Sequence, residues 1–157
     1  MKFFNYLLGT AVLLTVSAST YAQKYKTAAD TGKLNAEYVK VQNNIAGITA
    51  KLATEQSGLP EYQTKAKNAG NLAKTATETS NASSAKASSG SLQDSKAAKK
   101  SANEAYDMAK DASSANDNVG KQNEKIRKLN EDLRQERQRL KDLDAMRTAI
   151  AARSHKS

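Results

Sequence analysis

The chain has no cysteine, no tryptophan, one proline and one histidine in 157 residues, and its two phenylalanines, Phe3 and Phe4, sit at its start. Without a thiol it has no disulfide framework, no thiolate ligand, no cysteine nucleophile and no lipid attachment point. Small secreted domains with poor cores commonly rely on disulfides, so this chain must gain stability another way. The lone histidine, His155, lies in the terminal ARSHKS. With no second histidine and no cysteine, neither a transition-metal site nor a Ser-His or Cys-His pair can be assembled within one chain. Gly32, Gly47, Gly58, Gly70, Gly90 and Gly120 are isolated, which excludes a glycine-rich phosphate loop.

Large aliphatic residues are scarce as well. Beyond residue 22, Leu, Ile, Val and Phe number 9, 4, 3 and 0 among 135 residues. That lies below the ~20% level at which high net charge makes disorder the default. A compact globule with a thick core is therefore excluded as an expectation, and the chain length corresponds to one domain.

What the sequence does contain begins with an export signal. Lys2 precedes an apolar stretch from Phe3 to Ala18, then a polar run Ser17 to Tyr21 and the small residue Ala22. This pattern predicts a signal peptide over 1–22, cleaved after Ala22, and an exported product in the periplasm or secreted. The stretch is interrupted by Asn5, Gly9 and Thr10 and is shorter than the ~20 residues of a membrane span. No transmembrane span is expected after cleavage. Residues 23–30 are read as a flexible N-terminal segment, 31–153 as a single helical domain and 154–157 as a tail.

The few large apolar residues are spaced rather than scattered. Leu34, Tyr38, Val41, Ile45, Ile48 and Leu52 follow one another in steps of four and three, the seam of a coiled coil. Ile126, Leu129, Leu133, Leu140, Leu143 and Ile150 share a second heptad register, with Val119 one heptad earlier. Glu136 and Arg147 occupy polar positions of that second seam, where they can fix register and strand number at a cost in stability. An alternative has Arg147 solvent-exposed and Met146 in its place.

Between the seams, Glu61 to Asn116 is of low complexity, with 14 alanines and 10 serines in 56 residues. Alanines recur at 66, 69, 73 and 76 and at 98, 102, 105, 109 and 112, the same rhythm with small knobs. Such a segment forms helix only by leaning on the outer helices. Turn signals at Gly58-Leu59-Pro60, at Asn81 to Ser91 and at Ser113 to Gly120 divide the chain into segments 31–57, 60–85, 91–115 and 118–153. Asp30 or Thr31 can cap the first, and Ser91 with Asp94 resembles a capping box. The expected fold is all-α: an elongated helical bundle or antiparallel coiled coil of about four helices, its Ala-rich middle, 61–116, ordered or partly disordered.

Paired carboxylates are the last catalytic option, and their neighbours explain them better. Glu124 with Lys128, Glu131 with Arg134, Glu136 with Arg139, and Lys141 with Asp144 are spaced as surface pairs on a helix. No enzyme, cofactor or metal is expected. The chain carries a net charge of +9, and its last helix is strongly basic. Arg127, Lys128, Arg134, Arg137, Arg139 and Lys141 are candidate contacts to an acidic envelope polymer or an anionic lipid surface. Export removes the chromosome as a partner, and the basic residues lie across the zipper rather than before it, so chromosomal nucleic acid is not expected. The narrow seam suits a helical partner, either a second copy or another helical protein, better than a bilayer.

In its export signal, small size, basicity and coiled-coil content, the chain resembles periplasmic holdase chaperones of the Skp/OmpH type. Those carry flanking β-strands for a trimerising body, and no such strands are predicted here. The stretch AKNAGNLAKTATETSNASSAKASS, residues 66–89, is similar in texture to late-embryogenesis-abundant proteins, without their 11-residue repeat. The expected role is an exported, non-enzymatic structural or protein-interaction coiled-coil protein of the cell envelope. The alternative is a polyanion-binding or holdase-like periplasmic protein.

Overall fold

A computed structural model describes Tyr25, residues 27–88 and residues 90–154. The expected signal segment 1–22 and residues 155–157 of the expected tail lie outside the described residues. Among the described residues the chain forms a 3-10 turn, Ala28–Asp30, and two long helices packed against each other, α1 (Thr31–Ala87) and α2 (Leu92–Ser154). The all-α expectation stands, but two helices of 57 and 63 residues replace the expected four. Two of the three expected breaks are absent. Helix α1 runs through Gly58-Leu59-Pro60 and α2 runs through Ser113 to Gly120; only the stretch after Ala87 turns. The Ala-rich middle is helical on both sides of that turn.

Continuity of heptad phase explains why the breaks fail. Leu52, Leu59, Ala66, Ala73, Ser80 and Ala87 are seven apart, and each is buried or half-buried. A helix interrupted at Pro60 would lose that phase on one side. An interior proline costs about 3 kcal/mol, which seam contacts before and after it offset. The same phase runs along α2, where Ala98, Ala105, Ala112, Val119, Ile126, Leu133 and Leu140 are buried or half-buried.

The described residues divide into two compact units, one formed by those up to Gly47 and from Leu133 onward, the other by those within Ile48–Asp132. In the first, Leu34, Val41, Leu143, Ile150 and Tyr25 form a buried cluster, with Tyr38, Ile45, Leu140 and Met146 packed on it. Tyr25 belongs to the segment read as flexible, yet is 8% exposed there. In the second, α1 and α2 form an antiparallel hairpin whose seam is mostly small. Ala66 is 8% exposed, and the Ser83 and Ser101 hydroxyls lie 3.2 Å apart. The inward alanine row expected on α2 is corrected: Ser101 and Met108 are half-buried, while Ala102 and Ala109 are exposed. Counting back by sevens from Ile126 passes through Ala105 and Ala98, and the intervening seam positions fall on Ser101 and Met108.

Both helical runs start with the same device. Asp30 accepts from the Thr27 amide at 3.0 Å, and Asp94 accepts from the Ser91 amide at 2.8 Å. Each is a Ser/Thr followed three residues later by a carboxylate that satisfies an orphan donor at the helix start. The first cap therefore lies at Thr27 with Asp30, one turn before the expected Asp30 or Thr31. At the hairpin turn, a Cβ on Gly90 would lie 2.8 Å from the Lys86 carbonyl oxygen.

Gly90→Ala should destabilise the protein by about 1–3 kcal/mol through that contact, read as a lower midpoint in chemical denaturation. Leu143→Ala, at a side chain only 2% exposed, should cost about 2–5 kcal/mol. Pro60→Ala should raise the midpoint and keep full helical content, because it restores a main-chain donor without disturbing the seam.

Candidate functional site

Several polar and charged side chains join the two helices. In the first unit, Glu37 lies beside the seam of α1, with its side chain 10% exposed. It accepts a hydrogen bond from the Tyr25 hydroxyl and another from Arg139 Nη2 at 2.5 Å. Seven residues along α1, Asn44 Nδ2 donates to Glu136 Oε1 at 3.0 Å, and the other carboxylate oxygen of Glu136 is buried with no hydrogen-bond partner. The surface pair expected between Glu136 and Arg139 is thus replaced by two cross-helix ties. Burial decides this: Glu136 at the seam and Arg139 beside it are half-buried, and each meets a polar group of α1 there.

Arg147 stands outside the core while Met146 packs against it, the alternative weighed for this position. The guanidinium lies 4.6 Å above the Tyr38 ring and 3.9 Å from Asp144. Asp144 therefore pairs with Arg147, not with the expected Lys141. A shallow open depression between Thr31, Leu34 and Asn35 of α1 and Asp144, Thr148 and Ile150 of α2 completes this end of the unit.

In the second unit Gln122 is 4% exposed, the one buried polar or charged residue among those described. Its amide donates to the Glu55 main-chain oxygen and to the Glu55 carboxylate, both at 2.7 Å. Lys125 approaches the same carboxylate at 3.8 Å. A seam glutamine facing a main-chain oxygen satisfies a donor that would otherwise be costly to bury.

The predicted seam residues fall as follows. Leu34, Val41, Leu133, Leu143 and Ile150 are buried and Tyr38, Ile45 and Leu140 half-buried in the first unit. Leu52 is buried and Ile48, Ile126 and Leu129 are half-buried in the second. The basic candidates divide. Arg127 donates twice to Glu124 at 2.8 Å, Lys128 reaches Glu124 at 3.7 Å, and Arg139 is tied to Glu37. Arg134, Arg137 and Lys141 are exposed on α2, as Arg127 and Lys128 are. Among the described residues, no three His, Cys, Asp or Glu side chains are grouped as a metal ion would need.

Sequence reasoning missed Tyr25, Glu37, Asn44 and Gln122. Gln122 had a detectable signal, because it sits three residues after Val119 and four before Ile126, a seam position. Glu37 and Asn44 flank Tyr38 and Ile45 by one residue, a position that only a known partner helix makes meaningful. No protein family, curated protein or solved structure matches the chain.

The cross-helix ties and the pairs within each helix each give a prediction. Replacing Asn44 and Glu136 together by leucine should raise the melting temperature while broadening the distribution of species in sedimentation, since seam polar groups specify register at the expense of stability. The second concerns acid. Two hydrogen bonds from Arg127 hold the Glu124 carboxyl at about 2, below its ordinary 4.5, and partners at Lys65 and Ser91 lower Glu61 and Asp94 in the same direction. Depressed carboxyls stabilise the fold above their ordinary values and lose that contribution as pH falls through the folded values. The melting temperature should therefore decline from pH 4.5 toward 2, by a small amount because these groups are exposed, and Glu124→Gln should flatten the decline.

Proposed function

We propose that this chain is an exported, non-enzymatic structural or protein-interaction coiled-coil protein of the cell envelope, acting through its paired helices on a second copy or another helical protein. The observation that carries the reading is where the buried and half-buried polar groups at the seam go. Glu37, Asn44, Glu55, Gln122, Glu136 and Arg139 bond from one helix to the other, and an acid/base or nucleophilic site would need such groups converging on a sheltered reactant position. The export part of the reading rests on the Lys2 to Ala22 pattern. No described helix is long and apolar enough to cross a membrane.

A second reading, polyanion binding or holdase-like activity through the basic face of α2, is favoured by the exposure of Arg134, Arg137 and Lys141. It is narrower than the charge count suggests, because Arg139 is committed to Glu37 and Glu124 serves both Arg127 and Lys128.

Salt separates the two. Self-association or capture of a helical partner through apolar contact should persist from 50 to 500 mM salt in sedimentation equilibrium, whereas polyanion binding should weaken steeply. Arg134→Glu with Arg137→Glu and Lys141→Glu leaves the Glu37 tie in place. Unchanged association in that variant supports the first reading; loss of heparin binding with unchanged helicity supports the second.

A further inference from the structure

We propose that the second unit contains a hinge at the level of Pro60 and Gly120, with Gln122 as its latch. The helices run antiparallel, and Gln122 fixes their register there: its amide bonds Glu55 at 2.7 Å and lies 3.9 Å from where a Cβ on Gly58 would sit. Two residues forward from Gly58 is Pro60, and two residues back from Gln122 is Gly120. The weakest points of both helices thus face each other.

On α1, Pro60 offers no N–H to the Gln56 carbonyl. Around it the hydroxyls of Thr54, Ser57 and Thr64 donate to the main-chain oxygens of Ala50, Thr54 and Pro60 at 3.1, 2.9 and 2.9 Å. Such back-bonding competes with the helical ladder and accompanies bending. On α2, Ser113, Ser114, Asn116, Asp117, Asn118 and Gly120 form a run of poor helix formers. Asn116 Nδ2 also donates to the Ala112 main-chain oxygen at 3.0 Å.

Packing is thin from this level to the hairpin turn: among the described residues from 53 to 121 only Ala66 is buried. Between Leu52 and Ala66 no residue of α1 is buried, and Tyr62, at a seam position, is 37% exposed. From Ser113 to Lys121 no residue of α2 is buried either. At this level Leu59 and Val119 are half-buried, and the buried side chain is the amide of Gln122. With Gln122 bonded, both helices run through their weak points; with it released, both lose their local ladder together, while Leu52 on one side and Ala66 on the other keep the flanking pairing. The hairpin then bends at one fixed level.

Amide hydrogen exchange on the full chain tests this. Residues 56–64 and 113–121 should exchange at matching rates, about tenfold or more faster than 48–53 and 124–132. Gln122→Ala should accelerate both weak segments together and leave the flanking segments unchanged. The stabilised double variant, Pro60→Ala with Gly120→Ala, should abolish the excess exchange. Equal protection across 48–64, fast exchange confined to α1, or a uniform rise in Gln122→Ala would each overturn the hinge.

Discussion

Everything in this molecule depends on burial along a narrow seam between two helices. Ordering a residue costs about 1–2 kcal/mol, while a fully buried Leu, Ile or Val recovers about 1.5–3 kcal/mol. The large aliphatics are too few for either helix to persist by itself, and most helical stability in proteins comes from packing an apolar face. Pairing is thus the condition for helix formation, and several oddities follow from it. A proline sits inside α1, serine and asparagine runs stay helical, and more than twenty consecutive residues pass without a large aliphatic at the seam, because each is carried in phase by neighbours that pack.

Stability and register are supplied by different residues. Leu34, Val41, Leu143 and Ile150 contribute burial. The alanines and serines between Ala66 and Ala112 allow close approach, but one small knob fits much like the next, so they discriminate poorly against a slip of one heptad. The polar ties supply that discrimination. Sliding α2 by seven residues would leave Gln122 without the Glu55 oxygen and bury the Glu136 carboxylate away from Asn44, each a loss of about 1–3 kcal/mol. Ties occur in both compact units, Asn44 with Glu136 in the first and Gln122 with Glu55 in the second.

The legible part of the sequence was its periodicity. Leu34 to Leu52 and Ile126 to Ile150 announce helices with apolar stripes because large residues at steps of three and four have no other simple reading. The helix count was illegible for a physical reason. Local signals at Gly58-Leu59-Pro60 and Ser113 to Gly120 are true helix weakeners, and only the phase shared by Leu52, Leu59 and Ala66 shows that packing overrides them. Alanine is ambiguous in the same way: Ala102 and Ala109 look like knobs, yet phase places Ser101 and Met108 inward. Of the polar residues, Glu136 could be recognised by its seam position, whereas Glu37 and Tyr25 acquire meaning only once Arg139 and the start of α1 are brought together. The basic stripe on α2 was read as one surface, but its members differ in what already neutralises them.

The absence of cysteine makes the pairing itself directly accessible to experiment. Ser83→Cys with Ser101→Cys replaces two hydroxyls 3.2 Å apart and should give a rapid intramolecular disulfide under mild oxidation, seen as a mobility shift that reverses with reductant. Ser84→Cys with Ser101→Cys moves one cysteine to the outer face of α1, where Ser84 is exposed, and should not cross-link within the chain. Failure of the first pair to close, or equal closure of both, would contradict the antiparallel seam from which the rest of this account is built.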